Sequence, residues 1–205
     1  MMRPALVVRC FVAPVFACAI VCGGGLAAQT AKPAPPAARP ASQAARPAAP
    51  AKADVLKIAR KLMESIRYCA VITVDGSGQP QARAIDCFAP DDKLVVWFAT
   101  VPASRKVAEI RKNPRVTLYY FDPKDIGQGY VTLVGHARIV DDAAEKQKRW
   151  KKGFEAFWPD QSASYLLVEV TPDRVEVLSP ANGIMNDPVT WKPTIVEMGA
   201  AAPKR

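Results

Sequence analysis

The sequence predicts a mainly β domain, an antiparallel barrel of six or seven strands and Greek-key type with helices at its periphery. Short runs rich in β-branched and aromatic residues recur along the chain, for example at residues 68–74, 116–121 and 129–140. Turn sequences such as Asp-Gly-Ser-Gly-Gln-Pro at 75–80 separate these runs, and such short connections favour antiparallel neighbours. The helical patterns are too few and too irregularly placed for a doubly wound parallel sheet.

The predicted elements follow one another from Asp54, a favourable N-cap residue. Apolar residues from Val55 to Ile66 recur at helical spacing and predict an amphipathic helix. A turn at residues 171–173 is expected to separate the last two strands. The remaining predicted elements are strands at 68–74, 81–88, 94–100, 116–121, 129–140, 165–170 and 174–178, and helices at 102–112 and 143–157.

The first 28 residues predict a secretory signal peptide. Arg3 and Arg9 form a positive start, residues 10–21 are apolar, and small residues suited to cleavage follow. An uncleaved membrane anchor is the alternative, which the three glycines at 23–25 disfavour because glycine destabilises a helix interior. We therefore expect an exported protein, periplasmic or extracellular, without a stable membrane span once the leader is cleaved.

The rest of the chain divides by composition into three parts. Residues 29–53 are rich in Ala and Pro, without aromatic residues or apolar periodicity, and predict a disordered linker. The folded domain is expected at 54–180, followed by an irregular C-terminal segment at 181–205.

The basic charge of the chain lies mostly outside the predicted domain. The formal net charge is +9, from 28 Lys and Arg residues against 19 Asp and Glu residues. Six of the 28 basic residues precede Asp54 and no acidic residue does, so the remainder carries a net charge of only +3. The charge therefore does not predict a nucleic-acid partner.

Two cysteines, Cys69 and Cys87, remain outside the predicted leader and flank the first predicted hairpin. Their equal strand parity puts both side chains on one face if the turn keeps an even register. A pair of buried, reduced thiols is the ordinary outcome for such residues. A cross-strand disulfide is the alternative, and a shift of one residue in register would prevent it.

Two other features have a functional and a structural interpretation. His136 is the only histidine, and a haem ligand is the functional alternative to a surface or internally satisfied side chain. The basic run at 146–152 could contact nucleic acid or an anionic membrane. We expect instead a solvated helix face, with Trp150 packed inward and Phe154 and Phe157 continuing the apolar side.

Three motifs follow one another within the predicted barrel. A strand arginine follows a turn in Gln-Pro-Gln-Ala-Arg at 79–83. Trp-Phe-Ala-Thr at 97–100 precedes Ser-Arg-Lys-Val at 104–107 and Asn-Pro-Arg-Val at 113–116. The third motif is Gly-Tyr-Val-Thr-Leu-Val-Gly-His-Ala at 129–137.

The order of these motifs resembles the pyridoxamine 5'-phosphate oxidase-like family of FMN-binding split barrels, over roughly residues 56–178. The general stress protein branch is the most similar, because Phe-Trp-Pro-Asp at 157–160 precedes a strand that contains Leu-Leu. The resemblance implies a six- to seven-stranded split barrel, FMN as cofactor, and a homodimer with FMN at its interface. The apolar strands at 97–98 and 119–121 would gain cover from such a dimer.

The resemblance also implies a phosphate site made of Arg83, Arg105 and Lys106. A phosphate dianion takes charge-assisted hydrogen bonds, and a planar guanidinium can bind it through two of them. Arg105 and Lys106 lie in the first turn of a predicted helix, where free N–H groups and the helix dipole attract anions. A solvated basic helix is the alternative, because Arg111 and Lys112 follow closely.

Three further cofactor-binding residues come from the resemblance alone. Thr100 corresponds to a contact near the phosphate end of the flavin, Ser104 lies in the same loop as the phosphate clamp, and Tyr130 corresponds to a residue near the isoalloxazine ring. The sequence shows no carboxylate pair, metal-ligand cluster or nucleophile motif, so we assign no catalytic residue and no metal ligand.

The resulting hypothesis is a flavin-dependent oxidoreductase with an unknown substrate, in which the cofactor carries the redox chemistry. The alternative is an exported, non-enzymatic stress or ligand-binding protein that holds a flavin or a haem-like ligand in the same groove. Residues 195–198 do not match the Arg/Pro-rich C-terminal segment of true pyridoxamine-phosphate oxidases. We therefore do not expect oxidation of pyridoxamine phosphate.

Overall fold

A computed structural model describes residues 50–160 and 165–199, so the predicted leader and nearly all of the predicted linker lie outside the described residues. The described part is mainly β. The strands are β1 (Tyr68–Val74), β2 (Pro80–Asp86), β3 (Val96–Thr100), β4 (Arg115–Phe121), β5 (Tyr130–Val140), β6 (Leu166–Leu178) and β7 (Thr194–Glu197). The α-helices are α1 (Lys52–Ser65), α2 (Arg105–Lys112) and α3 (Ala143–Lys148), and none of them is long and apolar enough to cross a membrane.

All seven strands belong to one curled antiparallel sheet, which confirms the predicted fold class. The strand order is β2-β1-β4-β5-β6-β3, and β7 pairs with β6 outside this path. One edge of β6 pairs along its length with β5, while its other edge pairs first with β3 and then with β7. The sheet therefore curls around β6 into a half-barrel.

The main core fills the concave side of the sheet. Alternate strand residues such as Val71, Leu118 and Leu133 point inward and have no exposed surface, as the two-residue period of a strand requires. Helix α1 packs on this side through Val55 and Leu62, which lie in the same cluster of buried residues. This arrangement gives the predicted amphipathic helix its buried face.

A second, largely aromatic cluster lies on the opposite face of the sheet near β3. Trp97, Trp158 and Tyr165 form its buried part, with Trp150 and Phe154 packed against them. The inward packing predicted for Trp150 is thus observed. Trp97 is only 9% exposed, so this strand receives its cover from within the chain and does not need a second subunit for it.

The solvated helix face predicted at 146–152 is wrong, because α3 is only six residues long and ends at Lys148. The Arg149 guanidinium lies 3.6 Å from the centre of the Trp97 ring, and Lys151 Nζ lies 4.0 Å from that of Phe88. These cations cover the aromatic cluster through cation–π contacts. Phe157, expected to continue the apolar side, is 75% exposed.

The turn predicted at residues 171–173 is a bulge within the continuous strand β6. Val134 pairs with Arg174 and Gly135 with Pro172, so Asp173 is the extra residue. Pro172 is tolerated because it lies between the parts of β6 that pair with β3 and with β7. His136 Nδ1 lies 2.7 Å from Asp173 Oδ2 beside this bulge.

Several element boundaries also differ from the prediction; for example, α2 begins at Arg105 and not at residue 102, and β2 ends at Asp86 and not at residue 88. Helix α1 begins at Lys52, with Ala51 in the N-cap position, so Asp54 lies in the first turn and is not the cap. An acidic residue in that turn still stabilises the positive end of the helix dipole. Strand β7 lies in the segment for which the sequence predicts no regular structure. Four residues carry too weak a pattern to be recognised without the edge of β6 that they complete.

Candidate functional site

The predicted phosphate-binding residues meet where β1, β2, β3 and α2 come together. Arg83 on β2 lies opposite Val71, and both side chains point to the core face. The Arg83 side chain is only 19% exposed. Its Nη1 donates to Thr73 Oγ1 at 2.5 Å, and its Nη2 donates to Glu109 Oε2 at 2.9 Å. Strand and helix are therefore joined through the guanidinium.

Glu109 on α2 is the acceptor at the centre of this cluster, and the sequence analysis did not identify it. Its side chain is 4% exposed, and Oε2 also accepts from the Thr73 hydroxyl. Its Oε1 lies 3.0 Å from Arg105 Nε, one helical turn earlier, without the alignment of a hydrogen bond. The available signal was the i,i+4 spacing of Arg105 and Glu109, together with a threonine at an inward position of β1.

Lys106, Thr100 and Ser104 form a second group of polar side chains beside the first. Lys106 Nζ donates to Thr100 Oγ1 at 2.9 Å, and Thr100 Oγ1 lies 3.1 Å from Ser104 Oγ. Ser104 occupies the N-cap position of α2 without a capping hydrogen bond from its side chain. Its hydroxyl contacts Thr100 instead.

The Lys106 ammonium is destabilised by its surroundings. Partial burial, and then the nearby positive charge of Arg83, lower the pKa of Lys106, while Glu109 opposes the shift. Three cations and one carboxylate leave an excess of positive charge in this part of the structure. The first-turn N–H groups of α2 add to the positive potential, because they have no acceptor within the helix.

Five of the six residues assigned from the sequence are thus brought together, and Tyr130 is not. Tyr130 lies three residues from the inward-facing Leu133 on β5, so its side chain is on the opposite face of the sheet. Its ring packs against Tyr119, with 5.6 Å between ring centroids. Within one chain, Tyr130 therefore does not reach the other five residues, which we call the phosphate cluster after their predicted role.

A comparison with protein families identifies the fold. The family model described as pyridoxamine 5'-phosphate oxidase matches residues 56–179, which is more than half of the chain. The chain belongs to the pyridoxamine 5'-phosphate oxidase family. Proteins of this family often bind a flavin.

The relatives agree with the general stress protein branch. General stress protein 26 of Bacillus subtilis strain 168 is 28% identical over 104 residues, covering 50% of this chain and 73% of its own. A solved Clostridium acetobutylicum protein related to general stress protein 26 superposes with a TM-score of 0.58 at 22% identity, covering 71% of this chain and 95% of its own. General stress protein 26 of Bacillus anthracis strain Sterne gives 0.51 at 24% identity, with coverages of 58% and 90%.

Replacing Glu109 by Met should destabilise the fold strongly, because Arg83 would remain partly buried without its carboxylate. Breaking a buried ion pair on one side costs about 3–5 kcal/mol of unfolding free energy. The double variant Arg83→Met/Glu109→Met should recover at least about 1 kcal/mol, because it leaves no unpaired charge. Urea denaturation of the wild type, both single variants and the double variant measures this coupling.

Glu64→Met is the matched control for this experiment. Glu64 is 40% exposed and pairs with Arg60 on the surface of α1. We expect a change within about 0.5 kcal/mol for it. Additive effects of the Arg83 and Glu109 substitutions would show that the buried pair does not hold α2 on the sheet.

Proposed function

We propose that this protein binds FMN through the phosphate cluster and acts as a flavin-dependent oxidoreductase. The observation that carries the proposal is the convergence of Arg83, Arg105 and Lys106 at the N-terminus of α2. Family membership supports the same ligand class, since members of this family often bind a flavin. Pyridoxamine phosphate is not the proposed substrate, because residues 195–198 lack the Arg/Pro-rich segment of the true oxidases.

The donors around the cluster suit a phosphate group. Arg83 has five N–H donors, and its contacts with Thr73 and Glu109 use one on each of two nitrogens. The Arg105 side chain is 68% exposed, so its guanidinium can turn toward a ligand at little cost. The hydroxyls of Thr100 and Ser104 and the Lys106 ammonium complete a set of donors around one space.

The residues of the site have distinct roles in this proposal. Bound FMN would supply the redox chemistry, since flavins carry hydride and single-electron transfer. Glu109 fixes the orientation of Arg83 before the ligand arrives, which lowers the ordering cost of binding. A phosphate dianion beside Lys106 favours the charged ammonium, because it offsets both the burial and the repulsion from Arg83. Lys106 therefore keeps its proton when the site is filled.

We further propose that two copies of the chain assemble through the convex face of β1, β4 and β5. Tyr119, Phe121 and Tyr130 form a row of ring contacts on this face, and each of them is partly exposed. Burial and the neighbouring Tyr130 raise the pKa of Tyr119. In such a dimer, Tyr130 would lie in the interface and would not contact an FMN phosphate bound by its own chain.

Arg105→Ala should weaken FMN binding much more than riboflavin binding, because riboflavin lacks the phosphate. Loss of one charge-assisted donor costs about 1.5–3 kcal/mol, or roughly a tenfold to hundredfold loss in affinity. Titration calorimetry with both ligands measures the difference. Arg105 is preferable to Arg83 for this test, because Arg83 also holds the fold together.

The matched control is Arg111→Ala, which removes the same charge from the last turn of the same helix. It should leave both affinities within about twofold, because the residue lies a turn and a half from the site. Equal losses of FMN and riboflavin affinity in Arg105→Ala would make this arginine structural. Failure of the wild type to bind FMN would end the flavin proposal.

The oxidoreductase part of the proposal has a test of its own. Purified protein loaded with FMN should show flavin absorption and should oxidise a reduced nicotinamide in the presence of an electron acceptor. Flavin binding without turnover across a panel of donors and acceptors would favour a non-enzymatic ligand-binding protein. Haem absorption in protein purified from its native source would redirect the ligand assignment.

Tyr119→Arg should convert a dimer to a monomer, because a two-fold interface brings the same face of both subunits together and duplicates the new charge. Light scattering at micromolar concentration should give twice the mass of one chain for the wild type and the mass of one chain for the variant. Phe157→Arg is the control, since Phe157 is an exposed aromatic residue outside this face. A monomeric wild type in the presence of FMN would refute the dimer.

A further inference from the structure

The sulfur atoms of Cys69 and Cys87 lie 2.7 Å apart. Cys69 is on β1 opposite Ile85, and Cys87 follows two residues later on the same face of the hairpin. Carbon atoms in ordinary contact are about 3.5–4.0 Å apart, whereas a disulfide bond measures about 2.05 Å. The two sulfurs therefore need to approach by less than about 1 Å to form a bond.

The surroundings hold both cysteines in this position. Lys151 Nζ donates to the Cys87 backbone carbonyl at 3.1 Å and also lies 3.4 Å from Asp86 Oδ1. Cys69 is 2% exposed in the main core, beside the buried Tyr120 ring. Cys87 is half-buried.

We propose that Cys69 and Cys87 form an intramolecular disulfide that fastens β2 to β1. The register that the sequence left open is the one that allows the bond, because every pair from Tyr68 to Val74 is aligned without a slip. The oxidant is a disulfide compound, such as oxidised glutathione or a thiol–disulfide oxidoreductase. Apart from this oxidant, the reaction requires only the two cysteines.

The reaction is a balanced thiol–disulfide exchange. The Cys87 thiolate attacks one sulfur of the oxidant, forming a mixed disulfide and releasing one thiol. The Cys69 thiolate then attacks the Cys87 sulfur, which forms the bond between the two residues and releases the second thiol. The two cysteines lose two electrons and two protons, and the oxidant disulfide gains them as two thiols.

The bond would act at one edge of the sheet. Strand β2 is an edge strand and pairs only with β1, so it lacks a second row of hydrogen bonds. The turn at residues 75–79 joins the two strands at one end, and the disulfide would join them at the other. Arg83 lies between these two connections and is thus held against Thr73 and Glu109.

The disulfide is expected to form mainly during folding, before the core is packed. The hydrogen bond with Cys69, followed by burial, raises the pKa of the Cys87 thiol, so little reactive thiolate exists once the core is packed. The full chain is therefore unfolded, reduced and refolded with a mixture of reduced and oxidised glutathione. Free thiols are then alkylated, and the protein is digested with trypsin without reduction.

The digest distinguishes the two states directly. Trypsin cleaves after Arg67, Arg83 and Lys93, which places the two cysteines on the separate peptides 68–83 and 84–93. A disulfide links these peptides into one species, whose mass is that of the two reduced peptides together minus two hydrogen atoms. Reduction separates this species into the two peptides. In Cys69→Ser, the peptide 84–93 should instead be alkylated. Two separately alkylated peptides in the refolded wild type would overturn the proposal.

Thermal unfolding tests whether the bond fastens the hairpin. Reduction should lower the Tm of the oxidised wild type by roughly 5–15 °C, from the usual stabilisation by a disulfide and the size of this domain. The variant Cys69→Ala/Cys87→Ala keeps the three cysteines of the leader, and its Tm should not respond to the reductant. The same response in the wild type and the double variant would contradict the stabilising role.

Discussion

The buried ion pair between Arg83 and Glu109 is the interaction on which the candidate site depends. A carboxylate that is 4% exposed is stable only if cations and hydroxyls replace its water, and Arg83 and Thr73 do so from two neighbouring strands. These contacts fix the angle at which α2 leaves β3. The same helix carries Arg105 and Lys106. The ion pair therefore positions these two residues, although the Glu109 carboxylate itself need not contact a ligand.

Stability and the proposed phosphate binding make opposite demands on this cluster. Glu109 compensates only part of the positive charge, and burial together with the charge of Arg83 lowers the pKa of Lys106. A second carboxylate would relieve the repulsion, yet it would also compete with a phosphate. Proteins commonly retain such local strain where a ligand later removes it.

Much of the fold and part of the site could be predicted from the sequence, and the failures have physical causes. Strand alternation and turn residues located the strands, and helix-terminus chemistry grouped Arg105 with Lys106. Glu109 was missed because its i,i+4 spacing from Arg105 is equally typical of an ion pair on an exposed helix face. The helix predicted up to Phe157 was wrong because the cations after Lys148 pack on the rings of Trp97 in β3 and of Phe88, which follows β2.

The pairing of β3 has a consequence for the order in which the chain can fold during synthesis. Val96 pairs with Val170 and Thr100 with Leu166, so β3 meets its only strand partner about seventy residues later. Until then, Trp97 and Phe98 remain uncovered on a nascent chain, while β1, β2 and β4 can already associate. Contacts this distant in sequence slow folding and prolong the exposure of apolar surface. A chaperone that binds emerging aromatic segments would therefore act on this strand for longer than on any other strand of the described sheet.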